Sequence, residues 1–325
     1  MKPLRVGVIG CGGAGRNHAV GYSRVEGVQI VGLADVDRGR AETLGREMGA
    51  PAFSSFEAMI TAARPDAVSV CTPEYHHVAP SLYALNQGCH VLCEKIMAPD
   101  LASGKQMVRR AADRGLKLGV NYNYRYIDSV LALQRLLAEE SFGALRTVQF
   151  NVHAYCHHHA LDLIRFLFGE FEQVTAVLTE DPAERHFAWN DADAMLYIPS
   201  INACTVIRIG QLVISLVASH RSFSYPLIEC MVYGTAGRAK ISDMRVSAMN
   251  GDLMIQHEDR IERTPMAPVS LDELFYRSIA GWVAALRGQT SLAATGDDGL
   301  RTMQIEAAIS RSSSEGSAIQ VSAVD

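Results

Sequence analysis

The chain has 325 residues, of which 48% are apolar and 20% charged, and its net charge is −5. The length suits about two domains, and the composition suits a water-soluble protein with a full core. Mild acidity leaves no basic field for nucleic acid or an anionic bilayer, so the expected partner is a small molecule, with no nucleic acid and no membrane.

The chain opens with "MKPLRVGVIGCGGAG", whose apolar run is too short for a signal peptide or a bilayer span. From there to about residue 120, short apolar runs alternate with helical periods. "RVGVIG" leads to a helix from about Ala14, and "QIVGLAD" to "VDRGRAETLGREMG", which Gly49 stops. "PDAVSVCTP" precedes a helix through "APSLYALNQG", "CHVLCEK" a helix over about 100–114, and "LKLGVNYN" closes the set. Near-continuous apolar strands joined by helices predict a doubly wound parallel sheet covered on both faces.

After about Tyr126 the rhythm changes. A helix in "SVLALQRLLAEE" leads to the strand "LRTVQFNVHA" and the helix "HHHALDLIRFLFG". The β-type runs "EQVTAVL", "ACTVIRIG", "QLVISLVAS" and "LIECMVYGTAG" follow with short turns between them, which predicts an open, mostly antiparallel sheet. Two helices finish the chain, "LDELFYRSIAGWVAALRG" and "DGLRTMQIEAAISRSSSEG"; Thr295, Asp297 and Asp298 start the second and Gly316 stops it. The fold class expected is α/β: a first domain over 1–122 and an α+β second domain over 123–325 for substrate and oligomer contacts, with the last helix able to pack back on the first. Seven scattered cysteines without a C-x-x-C pair read as reduced thiols, and the cytoplasm is the expected compartment.

The first strand ends in Gly10, Gly12 and Gly15 at G-x-G-x-x-G spacing, with Gly13 and Ala14 between. This is the Rossmann dinucleotide pattern: the first glycine turns the chain, the second lets a pyrophosphate approach, and the third packs helix on strand. Asp35, twenty residues beyond Gly15, stands where a carboxylate takes both ribose hydroxyls. It repels a 2′-phosphate and so favours NAD over NADP, while Arg38 nearby keeps NADP as the alternative.

The run His153 to His159 holds four histidines and a cysteine and invites a zinc reading. Consecutive helical residues diverge by about 100°, so His157, His158 and His159 cannot converge on one ion, and no metal is expected. His159 and Asp162 share a helix side, apart from the packing stripe of Leu161, Ile164 and Phe168.

"GCGGAG", "ADVD", "TPEYHH", "CEKIMA", "HALDLIRFLFG" and "EAAISRSSSEG" together resemble the glucose–fructose oxidoreductase, inositol dehydrogenase and rhizopine-catabolism (Gfo/Idh/MocA) family over essentially the whole chain. The resemblance implies an NAD(P)-dependent oxidoreductase that moves a hydride between nicotinamide and a carbinol carbon of a sugar, cyclitol or related hydroxylated compound. It implies Lys95, after Glu94, as the proton-transferring lysine, with burial and the cationic nicotinamide lowering its pKa towards that of a base. It makes Thr72, Pro73 and His76 cofactor-side residues, His159 the acid/base partner and Asp162 a hydroxyl binder. Asn121, Tyr124, Arg125, Tyr155 and His158 are substrate-side candidates, and Trp189, His220 and Tyr225 read as core or interface. A homodimer or homotetramer is also implied.

Three departures bear on the expectation. Ile96 replaces the family's proline, Tyr155 stands where many members have aspartate, and the loop before His159 is short, leaving "ERHFAWNDAD" or a neighbouring subunit to close the pocket. Relatives that use NAD transiently in glycosidic cleavage or epimerisation define one alternative, and a non-catalytic nucleotide-binding regulator another.

Overall fold

The computed structural model describes residues 2–180, 201–219, 226–245, 248–291 and 293–324. They form two compact units, one of residues 1–123 with 272–303 and the other of 124–271 with 304–325.

The first unit runs β1 (Leu4–Ile9), α1 (Gly13–Ser23), β2 (Val28–Ala34), α2 (Arg38–Met48), β3 (Ala52–Phe53), α3 (Phe56–Ala63), β4 (Ala67–Val70), α4 (Val78–Asn86), β5 (His90–Cys93), α5 (Leu101–Asp113) and β6 (Leu118–Val120). All strand pairs are parallel, in the order β3-β2-β1-β4-β5-β6. This is the doubly wound order, and it places the loops after β1, β4 and β5 side by side at the carboxyl ends of the strands. Most of the helix starts are set by local chemistry. Asp37, Ser55 and Asp100 accept backbone N–H bonds at the heads of α2, α3 and α5, and Gly49 at φ 64° stops α2. α1 begins on Gly12 with no side-chain cap, so its first N–H groups face outward without a side-chain acceptor. The run from Ala52 to Ala63, between β2 and β4, holds the short β3 and α3; no expectation covered them, and the two residues of β3 give no periodicity.

The second unit runs α6 (Asp128–Ala138), β7 (Leu145–His153), α7 (His157–Phe168), β8 (Gln173–Glu180), β9 (Ile201–Ile209), β10 (Leu212–Ser219), β11 (Ile228–Gly234), β12 (Arg238–Met244), β13 (Asp252–His257) and β14 (Arg260–Thr264). α8 (Leu271–Leu286) and the start of α9 (Gly296–Glu315) belong to the first unit, and the end of α9 with β15 (Ile319–Gln320) to the second. Nine strands lie in the order β14-β13-β12-β11-β7-β10-β9-β8-β15, and among the described pairs only β7–β10 is parallel. The sheet is thus mixed but mostly antiparallel, as expected.

The serine-rich end of α9 has a structural task. Ser312 and Ser313 accept the backbone N–H groups of Ala176 and Leu178 in β8, which gives those groups partners near the edge of the sheet. Thr295 and Asp298 form a reciprocal capping pair at the head of α9: each side chain accepts the other's backbone N–H. Along β8 to β10 on the other face of the sheet, Val177, Val206, Val213 and Val217 are exposed. Residues 184–193, with Trp189, and the residues His220 and Tyr225 lie outside the described residues.

Candidate cofactor and proton-transfer site

The loop after β1 is shaped by where side chains are missing. Gly10 has φ +89°, and a Cβ there would stand 2.7 Å from the Cys71 carbonyl; a Cβ on Gly15 would stand 1.8 Å from the Gly10 oxygen. On Gly12 and Gly13 a Cβ would meet nothing within 4 Å. Two glycines therefore pack the turn, and two leave open space at the uncapped head of α1, which suits a pyrophosphate. Ala14 packs into the core beneath. Asp35, just past β2, is aimed by the backbone: its carboxylate accepts the Cys11 N–H at 2.7 Å and the Asp37 N–H at 2.8 Å. Arg38 is exposed and pairs with Glu42 one turn along α2 at 2.7 Å. Cys11 is no nucleophile, since burial and then the charge of Asp35 push its thiol up to about 12.

Glu94 and Lys95 follow β5. Glu94 is buried, and its carboxylate accepts from Asn121 Nδ2 at 2.6 Å and lies 2.8 Å from His18 Nε2. His18 Nδ1 lies 2.9 Å from Ser69 Oγ, which lies 2.9 Å from the Tyr22 hydroxyl, and Ser278 Oγ donates to Asn121 Oδ1. One set of donors satisfies the whole chain: Tyr22 to Ser69, Ser69 to His18, His18 to Glu94, Asn121 to Glu94 and Ser278 to Asn121. Burial raises the Glu94 pKa, but hydrogen bonds from His18 and Asn121 and the charge of Lys95 outweigh it, so the carboxyl titrates below its ordinary range. Asn121, expected beside substrate, has both ends of its amide engaged here.

The Lys95–Ile96 peptide is cis although no proline is present. Thr72 Oγ1 donates to the His76 carbonyl at 3.1 Å, Pro73 opens the short 3-10 turn Glu74–His76, and the His76 side chain is exposed. The neighbouring His77 is the buried one. Its Nδ1 lies 2.8 Å from the Ile96 carbonyl oxygen and its Nε2 2.7 Å from that of Thr72. Neither His18 nor His77 was among the expected site residues. His18 left a signal: Gly15, His18, Ala19 and Tyr22 form the core-facing stripe of α1, so a polar residue had been placed in an apolar row. For His77 the T-P-x-x-H spacing pointed one residue too early.

In the second unit, β7 passes through a single 3-10 turn, Ala154–Cys156, directly into α7, which confirms the short connection. His153 closes that turn by accepting the Tyr155 N–H at 3.1 Å, and Tyr155 is exposed. His159 lies flat on Tyr124, with centroids 3.9 Å apart and planes 7° from parallel. Burial holds the Tyr124 phenol well above its ordinary pKa, so this ring supports but does not ionise. Asp162 takes a two-pronged bond from Arg125, Nε at 2.9 Å and Nη2 at 2.6 Å, with both residues buried. Every residue from His158 to Arg165 is buried, those of the His159–Asp162 side as well as those of the packing stripe. His158 Nδ1 lies 2.8 Å from Glu306 on α9. Among the described residues no group of three His, Cys, Asp or Glu side chains is arranged to hold a metal, and no helix is long and apolar enough to cross a membrane.

Residues 4–122 match the Gfo/Idh/MocA oxidoreductase family's NAD-binding Rossmann fold, and residues 150–321 match its C-terminal alpha/beta domain. Glucose-6-phosphate 3-dehydrogenase of Bacillus subtilis is 29% identical over 147 residues, 45% of this chain and 41% of that protein, so more than half of that relative is unmatched. D-apiose dehydrogenase of Paraburkholderia graminis is 23% identical across 100% of this chain and 92% of its own length. The solved scyllo-inositol dehydrogenase of Lactobacillus casei, with bound NAD(H) and scyllo-inositol, superimposes at a TM-score of 0.79 and 19% identity, covering 99% of this chain and 100% of that one; the likeness is one of fold.

Proposed function

The chain belongs to the Gfo/Idh/MocA family of NAD-binding oxidoreductases, and from that premise we propose that it is an NAD-dependent dehydrogenase for a carbinol of a sugar, cyclitol or related polyhydroxylated compound. One observation carries the reading: Lys95 stands at the carboxyl end of β5, braced by a buried, ionised Glu94. Gly12 and Gly13 hold the pyrophosphate of NAD, and Asp35 its ribose. NAD, when bound, would supply the hydride acceptor for the carbinol. The chain's own task is the hydroxyl proton, which Lys95 Nζ accepts. His159 serves as the acid/base partner, kept in a fixed plane by Tyr124. Asp162 serves as the hydroxyl binder while paired with Arg125, since a carboxylate can accept further bonds beyond a bidentate guanidinium.

The test is a screen of inositols, aldoses, sugar acids and nucleotide sugars with NAD and with NADP, following the absorbance of the reduced cofactor. Turnover with NAD that Lys95→Ala abolishes supports the reading. Protein that keeps NAD through purification yet yields no net reduced cofactor is using it transiently, and protein that binds NAD without turning over any substrate is a regulator.

We also propose a homodimer or homotetramer built on the face of the second unit's sheet that exposes Val177, Val206, Val213 and Val217. Val177, Cys204 and Val217 lie in one cross-strand row, and Thr175, Val206 and Ser215 in the next. An apolar row of this kind in the middle of a sheet suits a second copy of itself. Val206→Glu should turn the assembly into monomers by light scattering, and an unchanged mass sinks the assignment.

A further inference from the structure

His77 fills a position where an apolar ring would cost less, because burying two ring nitrogens is unfavourable unless each has a partner. Each faces a backbone carbonyl oxygen, and the nitrogen that carries the proton donates to its own. The Ile96 oxygen belongs to the turn that carries Lys95, and the Thr72 oxygen to the loop after β4, the neighbouring strand. Lys95 is thus bracketed: on its amino side Glu94 accepts the Lys95 N–H at 3.3 Å and is held by His18 and Asn121, and on its carboxyl side His77 holds Ile96. Each neighbour of Lys95 is engaged by a buried histidine.

We propose that His77 is a positioning residue for the lysine, its ring set between the Ile96 and Thr72 carbonyls and donating from Nδ1 to that of Ile96, so that the amine keeps one direction; this rests on the reading that Lys95 takes the substrate proton. The charged groups facing His77 are Glu94, which favours its protonated form, and Lys95, which opposes it. Burial is the largest influence and lowers its pKa, so the ring is neutral near pH 7 and has a single N–H to give, from Nδ1 to the Ile96 carbonyl or from Nε2 to that of Thr72.

Three proteins decide the matter: wild type, His77→Phe, which fills the ring volume without a donor, and His77→Gln, which restores an N–H. In His77→Phe, kcat should fall by about tenfold to a hundredfold, the range expected when a reacting group is misplaced by about an ångström, with a smaller change in KM for NAD. Acetylation of Lys95 by a limiting amine reagent, read by peptide mass spectrometry against exposed Lys117, should change in rate, and His77→Gln should recover most of both effects. Equal losses in the Phe and Gln variants, or Lys95 acetylation that stays at the wild-type rate in His77→Phe, overturn the proposal. If His77→Phe does not fold, the ring nitrogen shifts of wild-type His77 decide instead: one slowly exchanging, hydrogen-bonded N–H is expected, and a freely exchanging ring overturns it. Acetylation that responds to His77 while Lys95→Ala leaves turnover intact upholds the positioning and removes the lysine's assigned role.

Discussion

The glycine and lysine loops of the first unit and the histidine helix of the second are built from different materials. In the first, the backbone does the shaping: glycines admit close approach, carbonyls face His77, and Cys11 N–H orients Asp35. In the second, side chains hold side chains, Tyr124 against His159 and Arg125 against Asp162. A backbone-built site is sensitive to the addition of atoms, and a side-chain-built one to their removal. Substitutions in the two regions should therefore separate cofactor binding from chain stability in opposite ways.

The largest effect expected is on turnover. Lys95→Ala should lower kcat by about 10²–10⁴-fold with the melting temperature little changed, since the side chain is half-buried at a loop. Next is Asp162→Ala, which leaves the Arg125 guanidinium buried without its carboxylate. That should cost about 3–5 kcal/mol in denaturant unfolding, and a loss under 1 kcal/mol would mean Arg125 finds water. Gly15→Ala should destabilise by about 1–3 kcal/mol or more, as its Cβ meets the Gly10 carbonyl, while Gly12→Ala should leave the melting curve in place and weaken NAD binding in titration calorimetry. Equal thermal effects at the two glycines would blur the contrast.

The smallest effect is in the pH profile. Burial holds the His157 pKa below its ordinary value of 6.5, with Glu306 opposing and His158 adding to the lowering. The unfolded chain therefore binds the proton first as pH falls. The native state has this contribution in full above about 6.5 and loses it as pH drops towards the folded pKa. His157→Gln should flatten the melting temperature between pH 7 and pH 5, and an unchanged slope would assign the acid sensitivity elsewhere.

Much of the first unit was legible because parallel strands buried on both faces, such as "PDAVSV", stand out as apolar blocks with helices between. The glycine motif and Asp35 could be read for the same reason, as spacing along one chain segment. β12 to β14 were not: "RAKISDM" mixes charge with apolar residues, and "RIERT" is exposed throughout, so neither alternates cleanly. The site's supports were hidden because they are long-range. Ser278 reaches Asn121 from 157 residues away, and Glu306 meets His158 from another helix. Spacing cannot reveal a partner that only folding brings near, and so Asn121 and Asp162 read as substrate contacts when their nearest business is internal.

The return of residues 272–303 to the first unit has a consequence for how the protein is made. Ile279, Trp282 and Val283 of α8 complete the same core as Tyr22 and Leu33, and Ser278 completes the polar chain at Glu94. On the ribosome the glycine loop and its sheet emerge first, yet they must wait for a segment some 150 residues later, roughly eight to thirty seconds at ordinary elongation rates. During that interval the nascent chain carries an exposed apolar face on α1, which makes it a client for a holding chaperone. Any early stop before α8 leaves the dinucleotide cradle without the floor it stands on.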